Sequence, residues 1–289
     1  AEARYEGLVI EDVQRACDVI RPVFEASQGD AGYVSLEVSP ALADDEAGTV
    51  AAARRLRAAV ARDNLLVKIP ATAAGVGAIE TLTGEGVSIN VTLMFSLAHV
   101  EAVAGAYQRG LEKLAAAGGD VTRVRSVASV FLSRWDSLID KQLDEIGTPE
   151  ALALRGKAGV ALARQAYQRY LARFHGAGFA ALAARGGRPQ SMLWASTGTK
   201  NAAYSDLMYV EPLVGPETVN TLPDATLAAF ADHGKVNGNQ VAQDAEAAAA
   251  HIAALAALGL DMNALGERLQ SEGLAQFATA FGKLLELTA

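Results

Sequence analysis

The sequence predicts an α/β fold built around a parallel sheet, and three observations support this. Segments with strand and helix character alternate along most of the chain, which is the order found in α/β proteins. Several short segments are apolar at successive positions, as expected for strands buried on both faces. The chain has 289 residues, of which 51% are hydrophobic and 20% charged, so a large core is available. An α/β barrel typically has about 250 residues, so a single domain over the whole chain is expected.

The first four elements are bounded by turn residues and prolines. A helix is expected over 10–25, where apolar residues recur with helical spacing, and it ends at a glycine turn. A strand over 33–38 follows and stops at a Ser-Pro pair. An alanine- and arginine-rich helix is expected over 49–62, and the next strand is the apolar run over 64–72, which contains a proline near its end.

The middle of the chain continues the alternation. A short helix over 77–84 ends at a glycine, and the apolar, β-branched run over 87–93 predicts the third strand. The helix expected over 97–116 ends before two glycines. The fourth strand is expected over 123–130.

The last third contains a long helical region, two strands and a helical tail. The helical region has a second start at 148–150, where Thr-Pro-Glu supplies an N-cap, a proline in the first turn and an acid, and it continues past Tyr170. Strands are expected over 190–196 and 206–211, and the alanine-rich tail over 240–287 is helical. The expected total is therefore six strands, whereas a closed (β/α)₈ barrel needs eight.

Lys68 lies in the second expected strand, within the apolar run from Asn64 to Thr72. A buried, unpaired ammonium is costly, so this lysine should lose its proton readily, and a free amine attacks carbonyl carbons to form a Schiff base. The alternative is a strand-end lysine whose ammonium reaches water or pairs with a carboxylate. The segment by itself favours the alternative, but the polar residues on the other strands favour the Schiff base.

Polar residues lie near the carboxyl ends of successive expected strands, where parallel barrels place their chemistry. Each also has a structural explanation: Glu37 as an ion-pair partner, Thr92 as a good strand former, and the serines as small packing residues. Only the joint arrangement is informative. A lysine beside a carboxylate and a hydroxyl suits Schiff-base chemistry, which needs a proton donor and an oriented water. The set comprises Glu37, Lys68, Asn90, Thr92, Ser129 and Ser196.

Two cations indicate a phosphate site. Arg134 stands at the start of the helix after the fourth strand, where a guanidinium suits a dianion. Lys200 follows Ser196 in a segment with hydroxyls and a glycine, similar to the phosphate sites that barrels build after late strands. The alternatives are a surface ion pair of Arg134 with Asp136 or Asp140, and a solvated Lys200.

Composition argues against several classes of function. A net charge of −8 gives no basic face for nucleic acid. The single cysteine rules out an intramolecular disulfide and suggests a cytoplasmic protein. The cysteine and the four histidines do not show metal-ligand spacing, so no metal site is expected. No apolar run reaches the roughly 18 residues of a membrane span, so no membrane partner is expected either.

Six stretches resemble the transaldolases, Schiff-base transferases of the pentose phosphate pathway, and in particular their actinobacterial-type branch. The Asn-Val-Thr-Leu-Met-Phe-Ser segment over 90–96, following the lysine strand in this order and spacing, is the most specific of them. The resemblance implies a (β/α)₈ TIM barrel of the class I aldolase type and a reaction without metal or organic cofactor. The matching stretches are 35–38, 67–72, 88–96, 127–134, 193–198 and 219–223.

The resemblance also implies a reaction and a role for each candidate residue. A dihydroxyacetone unit passes from sedoheptulose 7-phosphate to glyceraldehyde 3-phosphate, giving erythrose 4-phosphate and fructose 6-phosphate. Lys68 is then the nucleophile, and Glu37 and Thr92 hold the catalytic water. The remaining implied contacts are Asn90 with hydroxyls of the dihydroxyacetone unit, Ser129 with substrate, Arg134 with phosphate, and, by position, Ser196 and Lys200 with phosphate.

One departure from the family is large. Transaldolases begin with two strands that have no counterpart in these residues. The first ends in an aspartate that acts as general acid and base for carbon–carbon cleavage, and the second carries a Thr-Asn-Pro-Ser motif. The resemblance therefore implies that 1–289 holds strands 3–8 and the carboxyl-terminal helices. Three explanations are open: part of a longer chain, which we favour, a truncated chain, or a natural short form.

Two other functions compete with this interpretation. One is a related lysine-dependent sugar-phosphate aldolase that releases free dihydroxyacetone or acts on deoxyribose phosphate. The other is an inactive phosphosugar-binding or scaffold protein. The alanine-rich terminal helices are suited to cover either the barrel or a partner subunit, so a homo-oligomer is also open.

Overall fold

A computed structural model describes residues 2–288 of the chain and contains one parallel sheet in that part. The strands follow the chain order across the sheet, and each pairs with the next in parallel register. This confirms the predicted α/β class and is consistent with a TIM-barrel type of fold. The six strands described are β1 Val34–Glu37, β2 Leu65–Pro70, β3 Ile89–Met94, β4 Ser126–Phe131, β5 Ser191–Ala195 and β6 Thr218–Asn220.

One α-helix precedes the first strand, and the others connect the strands or follow the last of them. Over residues 2–288 they are α1 Glu2–Ala26, α2 Glu46–Val60, α3 Ala73–Gly84, α4 Leu97–Ala116, α5 Ser133–Ile146, α6 Pro149–Leu152, α7 Ala158–Phe174, α8 Ala180–Ala184, α9 Asp224–His233, α10 Ala245–Ala257 and α11 Met262–Leu287.

The prediction of a strand over 206–211 is wrong. That segment is a series of turns, in which the Val210 and Glu211 amides both donate to the Leu207 carbonyl. Its apolar residues, including Tyr209, are buried as turn residues and do not pair with the sheet. The sixth strand is β6, which is only three residues long and has no fully buried residue, so it lacks the apolar run that marks a buried strand.

Helix boundaries depart from the predictions where a cap or a glycine decides them. Asp45 caps α2 by accepting from the Gly48 amide, and Thr72 caps α3 by accepting from the Gly75 amide, so both helices begin earlier than expected. Thr148 caps α6 as predicted. The long helical region is nevertheless broken, because Gly147 and Gly156 both adopt positive φ.

Side chains of the central strands β2 and β3 alternate between the hydrophobic core on one face of the sheet and polar residues on the other. Val67 and Ile69 of β2 and Val91 of β3 are at most 1% exposed and belong to the main hydrophobic core. Each such side chain stabilises the fold by roughly 1.5–3 kcal/mol relative to exposure. Because successive side chains point to opposite faces, Lys68 and Asn90 lie on the other face of the sheet.

Asp136 ties α5 to the start of α7. One carboxylate oxygen accepts from the Ala158 amide at 2.8 Å, and the other accepts from the Tyr209 hydroxyl at 2.7 Å. The residue is only 3% exposed, and this burial raises the pKa of its carboxyl to about 6, against the opposing effect of these hydrogen bonds. Asp136 therefore couples the stability of the fold to pH.

We expect the stability contributed by Asp136 to fall as the pH rises. Its folded-state pKa, about 6, lies above the ordinary 3.8, so the folded protein holds the proton more tightly than the unfolded chain. The contribution is fully present below about pH 4 and is lost as the pH passes through about 6, a change of about 2–3 kcal/mol. The measurement is the free energy of unfolding in urea as a function of pH. The value for wild type minus that for Asp136→Asn should fall by this amount between about pH 4 and a pH above 6.

The matched control is Asp144→Asn, because Asp144 forms a largely exposed surface pair with Arg155. A surface pair contributes little, so its difference curve should stay nearly flat. A flat curve for Asp136→Asn as well would contradict the assignment.

Over residues 2–288, no single helix is long and apolar enough to cross a membrane. One pair, α10 and α11, passes the same test of length and composition when taken together, but the two helices are bent by 88° to each other.

Candidate active site

Lys68 and Glu37 form an ion pair at the carboxyl ends of neighbouring strands. They are register partners on β2 and β1, and the Lys68 Nζ lies 2.9 Å from a Glu37 carboxylate oxygen. Their side chains are 28% and 17% exposed. The premise of an unpaired lysine is therefore wrong, and the pairing alternative is the observed arrangement.

The environment of Glu37 makes it a proton acceptor. Burial raises the pKa of the Glu37 carboxyl, and the positive charge and hydrogen bond of Lys68 oppose that rise. A carboxyl with a raised pKa holds a proton more readily than a surface glutamate. The Glu37 carboxylate lies within hydrogen-bond reach of the Lys68 Nζ and is therefore in position to accept a proton from it.

Asn90 and Ser129 continue the polar row on the next two strands. Asn90 is the register partner of Lys68 on β3, and its amide oxygen accepts from the Ser129 hydroxyl at 2.8 Å. Its amide nitrogen donates to the Ser35 hydroxyl of β1 at 3.0 Å. Thr92, two residues beyond Asn90 and on the same face, is 1% exposed. Glu37, Lys68, Asn90 and Ser129 are thus adjacent across four strands.

Arg134 lies near the start of α5 above two aromatic rings. Its guanidinium carbon is 5.4 Å from the Phe131 ring centre and 6.0 Å from the Phe95 ring centre. Burial lowers the pKa of Arg134, although arginine stays charged at any working pH. Within the described residues this guanidinium has no ion-pair or hydrogen-bond partner among the protein side chains and backbone.

The predicted alternatives for Arg134, ion pairs with Asp136 or Asp140, are wrong. Asp136 is committed to Ala158 and Tyr209, as described above. Asp140 accepts from the Gly156 amide at 2.8 Å and from the Tyr204 hydroxyl at 2.6 Å. An unpaired guanidinium at the carboxyl edge of a parallel sheet is available to an anion.

Ser196 follows β5 directly and is held in a left-handed conformation with φ of +55°. Its hydroxyl lies 2.7 Å from the Ser133 hydroxyl, and its carbonyl accepts from the Ser133 amide at 3.0 Å. Ser196 is thereby fixed beside the residue that precedes Arg134. A non-glycine residue in this conformation is uncommon and is concentrated at functional sites.

Lys200 is placed apart from the other candidates. It is exposed and lines a cavity of about 550 Å³ together with Ser133 and the acidic residues Asp140 and Asp144. Within the described residues no hydrogen bond or ion pair joins it to Arg134 or Ser196. Acids in its own cavity make Lys200 the least suited of the three to hold phosphate.

Several contributing residues were missed by the sequence analysis. Ser35 holds the Asn90 amide, and Ser133 holds Ser196. The rings of Phe95 and Phe131 lie under Arg134 and are called the aromatic shelf below. Their position at strand ends in the sequence is a signal that could have identified them. The serines gave no such signal, because their partners lie on other strands.

Comparison with known proteins places this arrangement in one family. The sequence profile described as Transaldolase/Fructose-6-phosphate aldolase matches residues 1–288. The chain belongs to this family. Similar curated proteins include the transaldolases of Thiobacillus denitrificans, 57% identical over 98% of this chain and 79% of the relative, and Neisseria gonorrhoeae, 49% over 98% and 78%. The transaldolase of Mycolicibacterium smegmatis is 48% identical over 99% of this chain and 77% of the relative.

The similarity to curated transaldolases extends over nearly all of the described chain and supports an enzyme with transaldolase activity. The chain spans about four fifths of the length of these relatives.

Proposed function

We propose that this protein transfers a dihydroxyacetone unit from sedoheptulose 7-phosphate to glyceraldehyde 3-phosphate through a Schiff base on Lys68. The products are erythrose 4-phosphate and fructose 6-phosphate. The observation that carries the proposal is the 2.9 Å pair of Lys68 with the buried Glu37, beside Asn90 and Ser129. Membership of the transaldolase family supports the same activity.

Schiff-base formation begins when the pair shifts its proton from Lys68 to Glu37. The neutral Nζ attacks the ketone carbon of the donor, and a proton passes from the attacking nitrogen to the former carbonyl oxygen, which gives the neutral carbinolamine. Glu37 then protonates that hydroxyl, which leaves as water while the nitrogen lone pair forms the C=N bond. In this proposal Glu37 and Thr92 hold the water released in this step and used again in hydrolysis.

Asn90 and Ser129 are proposed to bind the dihydroxyacetone unit. Their mutual hydrogen bond at 2.8 Å places an amide and a hydroxyl on the sheet face beside Lys68. Hydroxyls of a sugar need donors and acceptors of this kind at fixed positions, and short hydrogen bonds between strands provide them. Arg134 is proposed to bind the phosphate of the sugar, with Ser196 as a second ligand and Lys200 as the least supported one.

Borohydride trapping with fructose 6-phosphate tests the Schiff base. We expect a dihydroxyacetone-sized adduct on the peptide that contains Lys68, measured by mass spectrometry together with the intact mass of the protein. An adduct on another lysine, or none in active protein, would contradict the proposal. An inactive phosphosugar-binding protein would give neither adduct nor turnover.

A second candidate function is an aldolase that releases free dihydroxyacetone, because the description of the matching family also names fructose-6-phosphate aldolase. Product analysis separates the two activities. A transferase turns over only when an acceptor aldehyde is present, whereas an aldolase releases dihydroxyacetone without one.

Arg134→Ala should raise the KM for phosphorylated sugars far more than that for unphosphorylated analogues. A charge-assisted contact with phosphate contributes about 1.5–3 kcal/mol, so the KM for fructose 6-phosphate should rise by about 10- to 100-fold. The measurement is steady-state kinetics with fructose 6-phosphate and with fructose. Arg123→Ala is the matched control, because Arg123 is largely exposed and precedes β4 at the opposite end of the sheet. Equal effects of Arg134→Ala on both sugars would remove it from the phosphate site.

We further propose that β1–β6 correspond to strands 3–8 of an eight-stranded barrel, so that 1–289 forms one barrel domain. The unbroken parallel order of the strands supports this. Membership of the actinobacterial-type branch is also a proposal, which rests on the six sequence stretches given above; relatives from Mycolicibacterium smegmatis and Streptomyces coelicolor are 48% and 51% identical, and that from Thiobacillus denitrificans is 57% identical. We also propose a cytoplasmic location, which the single cysteine supports, and assembly into a homo-oligomer.

A further inference from the structure

The helix α11 lies across the carboxyl ends of the two central strands of the site. The side-chain amide of Gln270 donates to the carbonyls of Ala71 and Leu93, each at 3.0 Å, and Gln270 is only 7% exposed. Ala71 directly follows β2, and Leu93 lies in β3 at a register shift, with a φ of +57°. One buried amide thus joins α11 to the strands that carry Lys68 and Asn90.

A second contact fixes the same helix one turn earlier. Glu267 of α11 lies 2.8 Å from Nε2 of the buried His99, whose Nδ1 accepts from the Phe95 amide at 3.1 Å. Phe95 is one of the two rings under Arg134. The helix is therefore anchored to the same short segment that forms the aromatic shelf.

Two glycines on this face of α11 allow the close approach. Gly266, Gln270 and Gly273 are spaced by four and three residues, which puts them on one side of the helix. A Cβ at Gly266 would lie 2.9 Å from the Cβ of Ser96 and 3.0 Å from the Phe95 carbonyl oxygen. A Cβ at Gly273 would lie 3.1 Å from an Arg134 guanidinium nitrogen and 3.1 Å from a Leu93 methyl carbon.

The guanidinium of Arg134 is thus packed on two sides. Phe95 and Phe131 lie under it, with ring centres 5.1 Å apart, and the backbone of α11 at Gly273 lies beside it. The described residues supply no hydrogen bond to this guanidinium, so its position depends on these packing contacts and on the charge of Glu272 on α11. A side chain at residue 273 would occupy part of the same space.

We propose that Gly273 is a positioning residue for the phosphate-binding guanidinium. Its missing side chain leaves the space in which Arg134 lies over the two rings, so α11 sets where the phosphate of the sugar binds. This inference rests on the proposed role of Arg134 as a phosphate ligand. It assigns to the carboxyl-terminal helix a part in the preference for phosphorylated substrates, distinct from the chemistry at Lys68.

The test is Gly273→Ala, measured by steady-state kinetics with fructose 6-phosphate and fructose. An added methyl must displace the guanidinium by some tenths of an ångström, and misplacements of this kind cost up to about 100-fold for a distance of about 1 Å. We expect the KM for fructose 6-phosphate to rise about tenfold. kcat/KM for fructose and the borohydride-trapped adduct on Lys68 formed from fructose should stay within about twofold of wild type, because neither depends on the phosphate.

A glycine variant on the same helix is the matched control. Gly282→Ala adds a methyl where nothing lies within 4 Å, so both sugars should react as in wild type. A uniform loss in Gly273→Ala, or the same phosphate-selective loss in Gly282→Ala, would overturn the proposal.

Combination with Arg134→Ala separates failure of this inference from failure of the proposed function. In the Arg134→Ala background, Gly273→Ala should cause no further rise in the KM for fructose 6-phosphate, because the two substitutions act through one group. A further tenfold rise would overturn the role of Gly273. If Arg134→Ala alone affects both sugars equally, the phosphate role of Arg134 fails, and the inference about Gly273 fails with it.

Discussion

Lys68→Met is expected to abolish borohydride trapping and to lower turnover by on the order of 10⁴-fold or more, since Lys68 supplies the attacking nitrogen in the proposed mechanism. Methionine keeps the length and apolar stem of lysine but has no amine. The substitution leaves Glu37 without its partner, which is costly for an ionised carboxylate in a buried position. Burial raises the pKa of Glu37, and loss of the opposing Lys68 charge raises it further, so protonation of the carboxylate relieves part of this cost. The fold should therefore remain close to wild type.

Circular dichroism and thermal unfolding check the fold of this variant, and mass spectrometry after borohydride checks the adduct. Lys113→Met is the matched control, because Lys113 is a largely exposed residue of α4 that pairs with Glu80. It removes a lysine of the same type and should leave both trapping and turnover unchanged. An adduct that persists in Lys68→Met would show that another lysine is the nucleophile.

Glu37→Gln is expected to lower turnover by about 10²- to 10⁴-fold, the usual loss when a positioned acid or base is removed. The amide keeps the shape of the side chain but neither accepts the Lys68 proton nor returns it to the leaving hydroxyl. Trapping should still occur on long incubation, because Lys68 is intact. The loss should therefore appear in the rate of adduct formation and not in the final amount.

The pH dependence distinguishes this role from a structural one. Activity needs Glu37 ionised before it accepts a proton, so the wild-type rate should fall as the pH is lowered through the pKa of Glu37. Burial raises that pKa, so this acid limb should lie above the ordinary range for glutamate, about pH 4.3. The limb should be absent in Glu37→Gln. It should be unchanged in Glu85→Gln. The Glu85 carboxylate pairs with Arg54 near the amino ends of the strands, away from Glu37. A limb retained in Glu37→Gln would assign it to another group.

The strand predictions are confirmed where the strand is buried along its whole length, and one is wrong where the strand is short and partly exposed. β2 and β3 are apolar runs buried almost throughout, and both were expected within a few residues of their observed positions. β6 is short and half-exposed, so its pattern carries no strand signal, whereas the apolar residues around Tyr209 suggested a strand that is a turn. Periodicity reports burial, and a buried turn gives the same apolar signal as a strand.

Of the candidate site, the sequence predicted the residues that lie on the central strands. Strand ends meet at one edge of a parallel sheet, so order along the chain became adjacency across the sheet for Glu37, Lys68, Asn90 and Ser129. Lys200 follows β5 in a loop, and loop positions do not obey that rule. The structure places it among acidic residues instead.

The sequence by itself determined the α/β class, the approximate positions of the first five strands and the chemical types available at the strand ends, because alternation and apolar runs are local properties. Only the tertiary structure decided which groups are paired. Lys68 is paired with Glu37, Arg134 is free of Asp136 and Asp140, and α11 closes against the site through Gln270 and Gly273. These contacts join residues far apart in the chain, and their existence depends on distances of a few ångströms that no local pattern encodes.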